Sequence, residues 1–353
     1  MKLKTILIIA IVFVAFLILI VLLSSSNNPK IPSNLTQPTN PGEPPLIIPN
    51  QTKPDQSQSN QNISSNQSLP QNNYTSNYST PSNNYSNLPE EYDNWSSIRA
   101  NDIANVPSGW SQPIRVSINT DNWEDGAYIT GDGNTLYWAY YPGDLLNDAM
   151  AGSFKGNVNE YQSNKPFTTK TLSSISDPPW SVGGVMISGS DMYYMSNKDT
   201  GNGKHTTQIY KNNERMSFNN PDENQDDPHY CALKDELYFW KDDTGDKNIY
   251  VYSNNEVKKL PSPINSGQSD MQPFLTNDCQ TMYFTSDRSG SNIIYKSSRS
   301  GEDWSSPQIV ISSNVAVGEP TFTSDGKTMF FVQIFHSPEG KYNSDIMYTE
   351  KLS

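Results

Sequence analysis

The sequence predicts an all-β domain, a five-bladed β-propeller with a six-bladed ring as the alternative, preceded by one transmembrane helix and a disordered linker. Three observations predict it. An unbroken apolar run occupies Ile6–Leu23, a tract dominated by Asn, Ser, Gln, Pro and Thr fills residues 24–95, and after that one phrase recurs five times. The phrase reads "TGDGNTLYWAYY" (130–141), "ISGSDMYYMSN" (187–197), "CALKDELYFWKDD" (231–243), "TNDCQTMYFTSD" (276–287) and "TSDGKTMFFVQI" (323–334). Its first aromatic residue falls at Tyr137, Tyr193, Tyr238, Tyr283 and Phe330, and most of the spacings lie near the length of a four-stranded propeller blade.

The amino end comes first. Residues 1–5 carry Lys2 and Lys4, and no basic residue follows the apolar run until Lys30. That asymmetry predicts a cytoplasmic amino terminus and a single pass through residues 6–23. At 1.5 Å per residue the run reaches roughly 27 Å, close to the hydrocarbon thickness of a bilayer. A cleaved signal peptide is the competing reading. Its apolar stretch is shorter and ends in small residues, whereas this run ends "LLSSSNN" without an Ala-x-Ala site. Both readings export the rest of the chain and put it outside the cell membrane.

Residues 24–95 have almost nothing to bury, so they cannot offset the entropy of ordering and are expected to form an extended stalk. Acceptor triplets Asn-x-Ser/Thr begin at Asn34, Asn50, Asn62, Asn66, Asn73, Asn77, Asn84 and Asn94, and none follows. A tract of this composition makes such triplets by chance; glycosylation at these positions is an expectation that depends on the host.

From residue 96 to 353 the chain is aromatic-rich, with short apolar runs and no helical period. In each unit a strand runs into a polar turn, such as Asp132-Gly133 or Asp325-Gly326, and a second strand leaves it. That second strand is apolar on consecutive residues (Leu136-Tyr137-Trp138, Met329-Phe330-Phe331), as expected when both faces are covered by neighbouring sheets. Third strands are expected at "QIYK" (208–211), "NIYVYS" (248–253), "IIYKSS" (293–298) and "DIMYTE" (345–350), and an outer strand at "SPQIVIS" (306–312). In the first unit "DAMAGS" (148–153) must supply the third strand, with an insertion from there to about Gln162. The last unit ends after its third strand, and "SGWSQPIRVSIN" (108–119) is the matching outer strand. The start of the domain would thereby complete its final blade and leave no open edge.

The run 276–310, "TNDCQTMYFTSDRSGSNIIYKSSRSGEDWSSPQIV", and the run 323–350 resemble the WD40-like repeat of TolB-type propeller proteins. The resemblance extends over the domain from residue 96. The second and third units depart from it, with "SGSD" and "LKDE" in place of Asp-Gly, and five blades depart from the six common in that family. The resemblance implies periplasmic or surface proteins that bind other proteins or wall polymers, and implies no single chemistry.

Residues beside the start of each inner strand are acidic in four units: Glu124 and Asp125, Asp226 and Asp227, Asp270, and Glu319; the second unit has only Asp177, further upstream. Three readings stand. The acids could close turns against backbone amides, form a polar-ligand or calcium site at the channel mouth, or act as the paired carboxyls of a glycoside hydrolase. No cofactor other than calcium is suggested. Cys231 falls on a strand and Cys279 in a turn of the next unit, non-equivalent positions that argue against a disulfide, and neither has the ligand pairs of a zinc site. His205, His229 and His336 are isolated, and His229 is expected to be a satisfied strand residue. No Gly-x-Ser-x-Gly or phosphate-loop phrase occurs.

Residues 96–353 hold 20 Lys and Arg against 32 Asp and Glu, without a basic cluster, which excludes nucleic acid as a natural partner. The function expected is binding, without catalysis, of a protein or envelope polymer by one face of an extracellular propeller. The ligand-contacting loops would be those before each inner strand and those at 197–207, 241–247, 286–292 and 335–344. A carbohydrate-active enzyme and a structural envelope component are the alternatives.

Overall fold

The computed structural model describes residues 94–198, 206–243 and 245–352. The apolar run at 6–23, the tract at 24–93, the seven acceptor triplets from Asn34 to Asn84, and His205 lie outside the described residues. Among the described residues no helix is long and apolar enough to cross a membrane.

The described chain is nearly all β. It opens with a short helix, α1 (Trp95–Asn101), capped by the Asn94 side chain, which accepts from Ser97 N at 3.1 Å. Trp95 is buried, so packing begins one residue before the expected boundary at 96. Strand β1 (Ile114–Arg115) comes next and is discussed with its partner below.

Four antiparallel strands then form a first meander: β2 (Trp123–Ile129), β3 (Thr135–Tyr141), β4 (Asn159–Asn164) and β5 (Thr171–Leu172). A second runs β6 (Val182–Ser188), β7 (Asp191–Ser196), β8 (Gln208–Lys211), β9 (Glu214–Arg215). A third runs β10 (Gln225–Cys231), β11 (Glu236–Asp243), β12 (Asp246–Ser253), β13 (Glu256–Lys259). The fourth comprises β14 (Asp270–Leu275), β15 (Thr281–Ser286) and β16 (Ile293–Ser300). A small β17 (Asp303–Trp304) and the outer β18 (Gln308–Ile311) both pair with β16. Last come β19 (Ala316–Phe322), β20 (Thr328–His336) and β21 (Tyr342–Glu350), and β21 takes β1 as its outer neighbour.

The innermost strands touch in a cycle: β2 meets β6, β6 meets β10, β10 meets β14, β14 meets β19, and β19 returns to β2. A closed cycle of inner strands with meanders radiating from it is a propeller-like arrangement. The recurring phrase is the first hairpin of each meander, as expected from sequence. Its turn is built alike three times. The carboxylates of Asp132, Asp278 and Asp325 each accept from a threonine hydroxyl two residues before and from a backbone N–H two residues after. The residue after each aspartate has positive φ and is Gly133, Cys279 or Gly326.

The core lies between meanders, which explains the consecutive apolar residues. Leu136, Trp138, Phe239, Met282, Phe284, Met329 and Phe331 are all completely or almost completely buried.

Two expectations are corrected. The first meander's third strand is β4, and "DAMAGS" belongs instead to a helix, α2 (Leu145–Ala151). Asp144 caps it by accepting from Asn147 N, Gly152 ends it in the left-handed region, and Leu145, Leu146 and Ala149 pack on Trp123, Tyr141 and Val158. Helix-forming Leu, Ala and Met between a cap and a glycine outweigh the repeat's strand habit here. The second correction is that Cys231 and Cys279 form a disulfide, with Cα atoms 6.0 Å apart. Side-by-side meanders bring the end of one inner strand to the hairpin turn of the next, so non-equivalent repeat positions are the ones that meet.

The expected clasp is present. Ile114 pairs with Tyr348 and Arg115 with Met347, while Trp110 bridges Lys351 and Leu352 N donates to Gly109 O at 2.7 Å. Two arginines secure it on one buried carboxylate. Arg99 Nε and Arg115 Nε each donate to Asp345 Oδ2 at 2.7 Å.

Candidate funnel of buried carboxyls

Each inner strand carries an irregularity at the same place, between Asp125 and Tyr128, Gly183 and Met186, Asp226 and His229, Met271 and Phe274, and Gly318 and Thr321. In every case one residue there has positive φ: Gly126, Gly184, Asp227, Gln272 and Glu319. A bulge at a strand's midpoint turns a side chain that would lie in the sheet toward the axis. Three of these five residues have a polar side chain, and those side chains converge.

Glu319 is the centre. Its Oε1 accepts from Gln272 Nε2 at 2.7 Å and its Oε2 accepts from Gly126 N, while its own N–H donates to Gln272 Oε1 and Thr285 Oγ1. Its carboxyl lies against that of Asp125. Asp125 Oδ2 accepts from Trp123 Nε1 at 2.9 Å, and Asp227 Oδ2 from Trp240 Nε1 at 2.6 Å. Burial raises all three acids. Asp227 rises to about 6, and Glu319 lies well above the usual range, pushed first by burial and then by the charges of Asp125 and Asp227. A proton shared between Glu319 and Asp125 follows from two carboxyls in contact, since the two do not ionise together. The glycines leave the room: a Cβ on Gly184 would stand 3.0 Å from Asp227 Oδ1.

Above these acids is a funnel with about 60 Å³ of free space, walled by Trp123, Tyr141, Leu145, Met195, Trp240 and Met271 and also lined by Asp226 and Lys247. Below them the axis continues through about 50 Å³ bounded by Pro228, Pro273 and Pro320, and widens to about 250 Å³ among the hairpin turns. Lys247 is 3 % exposed and its Nζ lies 4.7 Å from the Trp240 ring centroid. Among the described residues that nitrogen has no hydrogen-bond partner.

Of the six acids expected at the mouth, the structure brings Asp125, Asp227 and Glu319 together and adds Asp226 at the funnel wall. Asp226 Oδ1 accepts from Asp227 N at 2.9 Å, and burial raises its carboxyl well above the usual range. Glu124 turns away: its Oε1 accepts from Thr120 Oγ1 at 2.7 Å, and burial pushes it to about 7. Asp270 is bonded to Ser266, Ser286 and, at 2.6 Å, Arg288 Nη2, away from the converging carboxyls. Upstream, Asp177 pairs at the surface with Lys198. His229 meets Leu275 O at 3.1 Å and is held neutral by burial, its titration lowered to about 4, so it is the satisfied strand residue expected. Among the described residues no group of three or more His, Cys, Asp or Glu is arranged to hold a metal ion.

Gln272, Lys247, Trp123 and Trp240 were not anticipated as site residues. A signal exists for Gln272: aligned inner strands read "DDP", "MQP" and "GEP", placing it level with Asp227 and Glu319 before a proline. Lys247 has none, because it enters from the third strand of a different hairpin.

At the rim, helix α2 is tied to the last meander's 335–344 loop. Asn147 Nδ2 donates to Gly340 O at 2.9 Å and Tyr342 N donates to Asp144 Oδ2 at 2.8 Å. Met150 and Phe154 project beside it, 45 % and 44 % exposed.

No family model and no curated protein matches the chain. Among solved structures it is similar to TolB from Acinetobacter baumannii, at 15 % identity over 62 % of this chain and 67 % of that one, TM-score 0.37. It is similar to a putative TolB from Agrobacterium tumefaciens, at 12 % identity over 71 % and 90 %, TM-score 0.41. It is also similar to the GH43B protein of a Bacteroides ovatus xyloglucan locus, at 14 % identity over 67 % and 53 %, TM-score 0.45. Similarities of this degree carry no argument about what the chain does.

Proposed function

We propose that the chain is a membrane-anchored, five-bladed propeller that binds a protein or envelope polymer outside the cell, at its funnel face, without catalysis. Five meanders on a closed cycle of inner strands support the blade number. The apolar run at 6–23 with its preceding lysines supports the anchor.

The observation that carries the binding reading is the contact between Asp125 and Glu319. Hydrolysing a glycoside requires two carboxyls roughly 5–10 Å apart, leaving space for the sugar's anomeric carbon or a water between them. Here two acids share a proton, and Asp227 and Asp125 are each bonded to an indole. The convergence of three carboxyls under aromatic walls favours the second reading, a carbohydrate-active enzyme, and the contact between two of them weighs against it. A structural envelope role finds no specific support.

The rim is where a large partner would be met. Helix α2 is fixed at its start by two bonds to another meander, and Met150 on it and Phe154 just beyond it are half-exposed apolar side chains, a surface fit for a hydrophobic contact. The test uses the full chain in lipid nanodiscs with purified wall polymer and solubilised envelope proteins from the producing organism. Retention of one component is expected, together with its loss in Met150→Glu/Phe154→Glu, with circular dichroism showing that the variant is folded. Retention unaffected by that change, or release of reducing sugar from the polymer, would overturn the reading.

A further inference from the structure

The funnel floor holds a group that the fold does not satisfy. Among the described residues Lys247 Nζ is buried beside Asp226, Asp227 and the Trp240 ring with no hydrogen-bond partner. A buried ammonium without an acceptor costs stability. The equivalent position in the fourth meander carries Gln272, which shows that the same bulge accepts an amide in place of an acid. Asp227 and Glu319 are acids kept where an amide fits, at a cost to stability, and they mark a site shaped for something other than folding.

The lining restricts what can enter. A cation would face Lys247, and an anion would face the carboxyls of Asp125, Asp227 and Glu319. An uncharged group offering both donors and acceptors meets neither objection: it can accept from Lys247 and donate to Asp125. Its carbon faces would lie on the indoles of Trp123 and Trp240, which also line the funnel. The floor has about 60 Å³ of free space, enough for a hydroxymethyl group or a hydroxylated edge.

From this we infer that the funnel floor binds the hydroxyl groups at the end of a saccharide chain, with Lys247 and Asp125 as their hydrogen-bond partners and Trp123 and Trp240 as their walls. The inference rests on the binding reading above and narrows its ligand to a glycan read from its terminus.

The test applies saturation-transfer NMR and calorimetry to the full chain in nanodiscs. The probes are free hexoses, N-acetylhexosamines, hexuronic acids and sugar alcohols, each at millimolar concentration. Binding of at least one uncharged probe is expected, with hexuronic acids weaker. Lys247→Met should weaken the binding at least about tenfold. Glu319→Gln, which can still accept from Gly126 N, is expected to keep the fold and alter affinity, and circular dichroism and melting confirm that each variant folds. If no probe gives transfer to folded protein, or if Lys247→Met binds as wild type does, the inference fails. Envelope material still retained through α2 would then leave the binding reading standing; loss of that retention as well would remove both.

Discussion

At the scale of single residues, the five bulge positions set the most direct tests. Gly184 has φ +62 and its missing Cβ faces Asp227 Oδ1. Gly184→Ala is therefore expected to cost about 1–2 kcal/mol for the left-handed backbone alone, with more if Asp227 is displaced, read as a lower melting temperature. Asp227 gives the opposite expectation. Its pKa is raised by burial from 3.8 to about 6, so the folded state prefers the protonated acid. The stability this contributes is fully present below pH 3.8 and is lost as pH rises through about 6. Asn tolerates positive φ and its carbonyl can still accept from Trp240 Nε1, so Asp227→Asn should be more stable than wild type above pH 6. The gain, on the order of 3 kcal/mol, should open between pH 4 and 6 and then stay level. Thermal melts of both proteins across that range decide it. His229, lowered by burial to about 4, works in the other direction by losing stability as pH falls. The difference between variant and wild type cancels its effect.

Elements were legible in the sequence to the extent that their chemistry is local. The Thr-x-Asp turns announce three of the five hairpins because the aspartate closes its own turn, and consecutive apolar residues announce sheets covered on both faces. At 148–153 a capped run of helix formers outweighs the repeat's strand pattern, so the expected strand is a helix. The disulfide joins a strand of one unit to a turn of the next, a contact that the positions within one unit do not reveal. A clue was present: Cys279 occupies the left-handed position that Gly133 and Gly326 hold elsewhere, an unfavourable place for a side chain without a compensating bond. Acidic residues were found by position, but Glu124 and Asp270 could not be separated from Asp125 and Asp227 without knowing where the bulge falls. The clasp is the element most open to test. Asp345 is fully buried between Arg99 and Arg115, so Arg99→Ala/Arg115→Ala leaves an unpaired buried carboxylate. A loss of about 3–5 kcal/mol in chemical denaturation is expected, and a loss below 1 kcal/mol would refute the clasp's role.

For the whole molecule, stability depends on the cycle of inner strands staying closed. The Cys231–Cys279 bond joins the third and fourth meanders across a separation of 48 residues, and the clasp joins the last meander to the segment before the first. Loop-closure entropy for that separation is about 4 kcal/mol, so reduction should lower the melting temperature markedly. Cys231→Ser/Cys279→Gly removes the bond but relieves the left-handed backbone at 279, and should lose less than the reduced wild type. Equal melting with and without reductant would show that packing between the meanders suffices alone.

The doubly held Asp345 has a mechanical meaning. Any pull arriving along the chain from before Asn94 enters the domain through α1, and Arg99 on that helix is the first side chain tied into the last sheet. The load is therefore delivered to the seam where the two ends of the domain meet. Yielding there would peel away the outermost strand and leave the remaining meanders joined. In a single-molecule stretching trace the first rupture should be a short one, and Arg99→Ala should lower its force without changing those that follow.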